Sequence, residues 1–225
     1  MTIAPRALVL DFGGVISRTM FETHAETERA LNLAPGTLTW RGPFDPSTDA
    51  PWQQMQAGQI SERDYWLRRA AEVGALVGER WTSMAELVRR ARGNAPRIVI
   101  RPEALAAIER CAAAGIKLGI LSNELDLFYG ADFRAKLPFL ARFDTIVDAT
   151  YSNLLKPDPM AYATCADALG VSATECVFVD DQPRNVKGAR DAGMHAVQFD
   201  VRNPQASFSE ALTPFRLSIS ETPHA

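Results

Sequence analysis

Apolar residues gather in short unbroken runs along this 225-residue chain, and three of those runs stop at polar residues. Ala7-Leu8-Val9-Leu10 meets Asp11, Ile116–Leu121 meets Ser122-Asn123, and Cys176-Val177-Phe178-Val179 meets Asp180-Asp181. Short apolar runs rich in β-branched residues predict strands buried on both faces, the kind that parallel sheets contain. Asp144–Ala149 and His195–Phe199 predict two further strands. Between them the pattern turns helical, over Pro102–Ala114, from Lys156-Pro157-Asp158 to Leu169, and over Arg184–Ala192. Pro102 in a first turn and Gly115 just past the end match the usual helix boundaries. Alternating strands and helices predict an α/β fold, a doubly wound parallel sheet with right-handed crossovers. The C-terminal strand ends of such a sheet share one edge, where ligands bind. Asp11, Ser122 and the Asp180-Asp181 pair are therefore expected together. Ser172–Glu175 has the spacing of a capping box, but a strand is expected to follow, so the match reads as accidental.

From residue 16 to 96 the strand-like runs disappear and helical periodicity replaces them, in Met20–Leu31, Ser61–Val73 and Arg80–Arg92. Ser61 offers an N-cap with acids in the following turn. Gly36, Pro43, Pro46 and Pro51 mark a long loop. Residues 16–96 are accordingly assigned to a helical insertion, and 1–15 with 97–202 to the α/β core. Periodicity weakens after Arg202, which predicts a C-terminal tail of partial order over 203–225.

Composition narrows the partners. The chain is 47% hydrophobic and 23% charged, as in ordinary globular proteins, with a formal net charge of −3. That balance argues against nucleic-acid binding through bulk positive charge. The arginines of Arg89-Arg90-Ala91-Arg92 read as a solvated helix face. No run reaches the roughly 18 apolar residues of a membrane span, and Asp11 interrupts the first apolar stretch, so no secretory pattern is read. The three cysteines, Cys111, Cys165 and Cys176, lack metal-type spacing and sit in apolar patterns. Reduced core thiols and a cytoplasmic setting are expected.

Four motifs in chain order carry a resemblance. Asp11-Phe12-Gly13-Gly14-Val15 after the first strand, Leu121-Ser122-Asn123, Lys156-Pro157 and Val179-Asp180-Asp181 resemble the haloacid dehalogenase-like hydrolase superfamily. The resemblance spans roughly residues 6–200, and the helical insertion stands where that superfamily places a helical cap. It implies a Rossmann-like core and Mg²⁺-dependent hydrolysis of a small phosphomonoester, a phosphorylated metabolite. Asp11 would be the nucleophile, since a carboxylate attacking phosphorus splits one hard displacement into two easier ones. Asp11, the Gly13 carbonyl and Asp180 would supply oxygens to Mg²⁺, with Asp181 in direct or water-mediated contact. Ser122 and Asn123 would donate to phosphate oxygens. Lys156 would neutralise charge shared by Asp11 and the transferring phosphoryl group.

The chain departs from most phosphatases of the superfamily at Gly13. They carry there a second Asp that protonates the leaving oxygen and later activates water, a function worth about 10²–10⁴-fold. Three readings stay open. The first is a phosphatase with a substitute acid, for which Glu124, Asp126 and His24 are candidates. The second is a metal-independent 2-haloacid dehalogenase, although the Asp180-Asp181 pair is unusual for that class. The third is a catalytically weak homologue that binds a phosphorylated ligand or a protein. Trp40, Phe44, Trp52, Tyr65 and Trp66 concentrate in the insertion, where they are expected to form mostly its own core.

Overall fold

The computed structural model describes residues 4–92, 96–130 and 132–218. Five strands form one sheet: β1 (Ala7–Leu10), β2 (Lys117–Ser122), β3 (Thr145–Asp148), β4 (Cys176–Asp180) and β5 (His195–Gln198). Their order is β3-β2-β1-β4-β5, and every pairing is parallel. The sequence reason is direct. The four residues of β1 and the five of β4 are all buried, so each strand needs cover on both faces. Ala7 and Val9 face a cluster that includes Tyr162, Cys165 and Leu169 of helix Pro159–Leu169 and Val186 and Ala189 of helix Pro183–Asp191. Leu8 and Leu10 alternate to the other face, on which helices Pro102–Ala113 and Pro204–Leu212 pair. The expected doubly wound sheet is present. The three cysteines are free and buried; burial pushes the thiols of Cys111 and Cys165 up to about 12 and that of Cys176 up to about 11.

Two local expectations need correction. The weak periodicity after Arg202 hides an ordered helix, Pro204–Leu212, whose Asn203 side chain caps it and whose Phe208, Ala211 and Leu212 are fully buried. Buried Ser207 breaks the apolar pattern there, and its hydroxyl accepts the Asp200 N–H. Residues 219–225 of the expected tail lie outside the described residues. The Ser172–Glu175 match is also genuine. Glu175 accepts the Ser172 N–H and hydroxyl, and the box closes a 3-10 turn, Ala173–Glu175, immediately before β4.

The chain divides into two compact units. One holds the sheet and comprises the described residues of Met1–Arg18, Val99–Leu125 and Leu137–Ala225. The other comprises those of Thr19–Ile98 and Asp126–Lys136, so it includes a short segment that follows β2. The regular elements of this second unit among the described residues are helical: His24–Ala30, Ala50–Gln56, Glu62–Leu76, Met84–Arg92, Asp132–Ala135 and most of Leu125–Tyr129, with two 3-10 turns between the first two. Ser61 and Asp64 form the capping box of the longest helix. Its core gathers Phe21, Trp40, Trp52, Tyr65 and Trp66, with partly buried Phe44 against them. Edge-on ring pairs such as Phe21–Trp52 at 5.2 Å and Tyr65–Trp66 at 5.0 Å make this an aromatic core. Buried Asp49 organises it, accepting from the Trp52 N–H, the Gly42 N–H, the Tyr65 hydroxyl and Arg69. The solvated arginine face is corrected in one position. Arg89 and Arg90 are exposed, but Arg92 is buried and donates to the Thr23 hydroxyl at 2.6 Å. No helix among the described residues is long and apolar enough to cross a membrane.

Candidate active site

Strand register brings the predicted residues to one edge. Leu10 pairs with Ile120 on one side and Val179 on the other. Asp11 therefore stands one step past β1, level with Leu121 and Asp180, and Ser122 one step further. The Asp11 N–H continues the ladder by donating to the Val179 carbonyl at 2.9 Å. Ser122 is buried at the end of β2, opposite Asp148.

Lys156 arrives from the loop ahead of helix Pro159–Leu169. Its Nζ donates to Asp11 Oδ1 at 2.8 Å and to Asp180 Oδ2 at 2.6 Å. Lys156 is 4% exposed and Asp180 fully buried. Burial works against the ammonium charge, but the Asp11 and Asp180 carboxylates outweigh it and hold the lysine pKa above its ordinary value. Asn123 locks this lysine in place. Its Oδ1 accepts the Lys156 N–H at 2.7 Å and its Nδ2 donates to the Lys156 carbonyl at 3.2 Å. The Asn123 side chain thus has a structural task that the sequence did not reveal.

Asp180 is oriented from below. The Gln182 N–H donates to its Oδ1 at 2.8 Å, and Asn185 Nδ2 lies 3.1 Å from both of its oxygens. The Asn185 carbonyl in turn accepts the Tyr162 hydroxyl at 2.7 Å. Sequence reasoning missed Asn185; the available signal was its place in the first turn of the helix that follows the acidic pair. Asp181 is half-buried, and Gln198 donates to its backbone carbonyl at 2.7 Å. The Asp181 carboxylate lies against Gly14, which has φ +84°, and a Cβ on Gly14 would fall 2.6 Å from Asp181 Oδ2. The positive φ favours glycine, and any Cβ there would push the Asp181 carboxylate aside.

Carboxylate oxygens of Asp11, Asp180 and Asp181 lie within 4.8 Å of one another. Opposite oxygens around an octahedral Mg²⁺-sized ion are separated by roughly 4.2 Å. The three groups therefore fit one divalent cation with slight side-chain rotation or one bridging water. Formal charge agrees with that fit, because three carboxylates and one ammonium sum to −2, which a divalent ion cancels. Gly13 is exposed beside this cluster.

The candidate replacement acids fare differently. Asp126 belongs to the helical unit, where its carboxylate is engaged in an ion pair with Arg134 at 2.7 Å. His24 sits in that unit's core with its ring 4.2 Å from Trp40. Burial, against the partial opposition of Glu28, lowers its pKa to about 4, so at neutral pH it is uncharged and lacks the acidic imidazolium proton. Glu124 is half-buried in the α/β unit, next to Asn123.

Comparison with known proteins agrees with this architecture. A phosphatase of Mycobacterium tuberculosis is 37% identical over 99 residues, covering 44% of this chain and 46% of the relative. A phosphoserine phosphatase of Thermus thermophilus is 32% identical over 157 residues, covering 67% of this chain and 60% of that protein. The chain thus spans less than two thirds of these curated relatives. Among solved structures, the L-2-haloacid dehalogenase of Xanthobacter autotrophicus shares the fold, with a TM-score of 0.56 and 21% identity over 98% of this chain and 91% of that one. The sequence profile of haloacid dehalogenase-like hydrolases matches residues 5–193. The chain belongs to the haloacid dehalogenase-like hydrolase family.

Proposed function

We propose that this hydrolase is a Mg²⁺-dependent phosphatase of a small phosphomonoester, working through an aspartyl-phosphate on Asp11. The observation that carries the reading is the pairing of the Lys156 ammonium with both Asp11 and Asp180, at 2.8 and 2.6 Å, inside a cluster of three carboxylates. An attack on carbon by one carboxylate needs no cation, and so does not call for three acids converging on one point. An attack on phosphate needs its negative charge offset, and acids that hold a divalent cation supply the offset. The phosphatase names of two relatives support the same class.

Asp11, Asp180 and the Gly13 carbonyl would hold the Mg²⁺, with Asp181 in direct or water-mediated contact. When bound, the ion neutralises phosphate oxygens and lowers the repulsion that an attacking carboxylate meets. Asp11 Oδ attacks phosphorus, the P–O bond to the leaving group breaks, and the departing oxygen takes a proton. Water then attacks the phosphorus of the aspartyl-phosphate and releases inorganic phosphate with Asp11 restored. Lys156 balances charge on Asp11 and the moving phosphoryl group through both steps. Ser122 and the Asn123 backbone N–H donate to phosphate oxygens. Glu124 is the remaining candidate for the proton that Gly13 cannot supply. The helical unit is assigned the part of a cap that discriminates the substrate's organic group.

Purified protein should release phosphate from an aryl phosphate with Mg²⁺ and not with chelator, and Asp11→Asn should abolish the release. Halide release from a 2-haloacid without metal would instead establish the dehalogenase reading, which rests on Gly13 and on the fold shared with that class. Binding of phosphate esters without turnover would establish the non-catalytic one.

A further inference from the structure

Arg101 is buried, 3% exposed, yet it belongs to none of the four sequence motifs. It stands at the N-cap of helix Pro102–Ala113 without capping it by its side chain. Its guanidinium turns instead to the loop after Asp11. Nε donates to the Gly14 carbonyl at 3.1 Å and Nη2 to the same oxygen at 3.0 Å. The guanidinium carbon also lies 5.4 Å from the Phe199 ring centroid, so the ring limits its movement.

The loop it grips is tightly closed. The Ser17 N–H donates to the Phe12 carbonyl at 2.9 Å, Ser17 bridges both Gly13 and Ile100, and the Arg101 N–H donates to the Ile16 carbonyl at 3.0 Å. Two adjacent glycines, Gly13 and Gly14, form its most permissive point. Glycine populates positive and negative φ about equally, so these two residues do not hold one conformation unaided. A clamp on the Gly14 carbonyl fixes one side of that residue, and the Asp181 carboxylate takes up the space where a Cβ would stand on the other.

We propose that Arg101 is a positioning residue for the metal site, holding the Gly13–Gly14 turn so that the Gly13 carbonyl and Asp181 keep register with Asp11. The inference rests on the metal-dependent reading above. Arg101 touches no reacting atom and acts through the Gly14 backbone. Groups that orient metal ligands from behind typically change metal affinity by about 10–100-fold when removed. Lysine in its place would keep a charge but lose the planar two-donor fork.

The test is calorimetric titration of metal-free protein with Mn²⁺, for wild type, Arg101→Met and Arg101→Lys, with circular dichroism to establish folding. Arg101→Met should bind Mn²⁺ about 10–100-fold more weakly, and Arg101→Lys should fall between it and wild type. At saturating Mn²⁺ the KM for an aryl phosphate should stay unchanged. A folded Arg101→Met protein with wild-type Mn²⁺ affinity overturns the proposal, because a merely structural arginine would lower thermal stability and leave that constant alone. If Arg101→Met does not fold, Arg101→Lys decides by the same measure. A wild-type protein that binds no Mn²⁺ overturns the metal-dependent reading and this inference together. A wild-type protein that binds it, beside a variant equally able, overturns this inference alone.

Discussion

An ideal Cβ placed on Gly13 meets no heavy atom within 4 Å, so a side chain can start there without a clash, at the position where most phosphatases of the family carry their second acid. The next residue is the opposite case, since a Cβ on Gly14 would collide with Asp181 and its φ of +84° strains any other residue. Gly13→Asp is therefore expected to fold normally and to raise kcat, by up to about 10²-fold for alkyl phosphates, whose leaving oxygen needs a proton. Aryl phosphates leave readily and should gain little. Steady-state rates on one substrate of each kind check this. A folded, Mg²⁺-binding Gly13→Asp protein without any activity would show that more than the acid is missing. At this scale the sequence named Asp11, Lys156, Asp180 and Asp181, because each follows a strand or sits in an ordered motif. It did not reveal Arg101 or Asn185. Each meets its partner, Gly14 or Asp180, only once the fold has brought distant segments or the turns of a new helix together.

Elements declare themselves by the purity of their pattern. The buried strands were legible because burial on both faces demands an unbroken apolar run. Helix Pro204–Leu212 was not, because its buried face mixes Ser207 with Phe208, Ala211 and Leu212. Phe208 is fully buried, with its ring 5.1 Å from Phe199. Phe208→Ala should cost about 3–5 kcal/mol, measured by urea unfolding; a loss under about 1 kcal/mol would return this segment to the status of a dispensable tail. Helix His24–Ala30 carries a pH signature. His24 has a folded pKa of about 4 against 6.5 unperturbed, so the unfolded chain binds the proton more tightly. The stability from burying it neutral is complete above pH 6.5 and is lost as pH falls from 6.5 towards 4. The full loss amounts to roughly 3 kcal/mol. His24→Phe should flatten the urea midpoint across that window, and a variant with the same pH slope as wild type would assign the slope to other groups.

On the scale of the whole chain, two compact units with separate aromatic and sheet-centred cores share one polypeptide. The acidic cluster lies in the α/β unit, where any stabilisation by a bound cation must arise. All four tryptophans, Trp40, Trp52, Trp66 and Trp81, lie in the helical unit. Intrinsic fluorescence therefore reports the unfolding of one unit, while circular dichroism reports both. A ligand at 100 times its Kd stabilises the state that binds it by about 2.7 kcal/mol. Mg²⁺ should consequently raise a circular-dichroism melting transition that belongs to the sheet and leave the tryptophan transition in place. Asp180→Asn should remove the shift, because it takes away a central oxygen ligand while keeping the side chain's size. If Mg²⁺ moves both probes by the same amount, the two units unfold as one. If it moves neither, the carboxylate cluster holds no divalent ion, and the phosphatase reading loses the cation on which its chemistry depends.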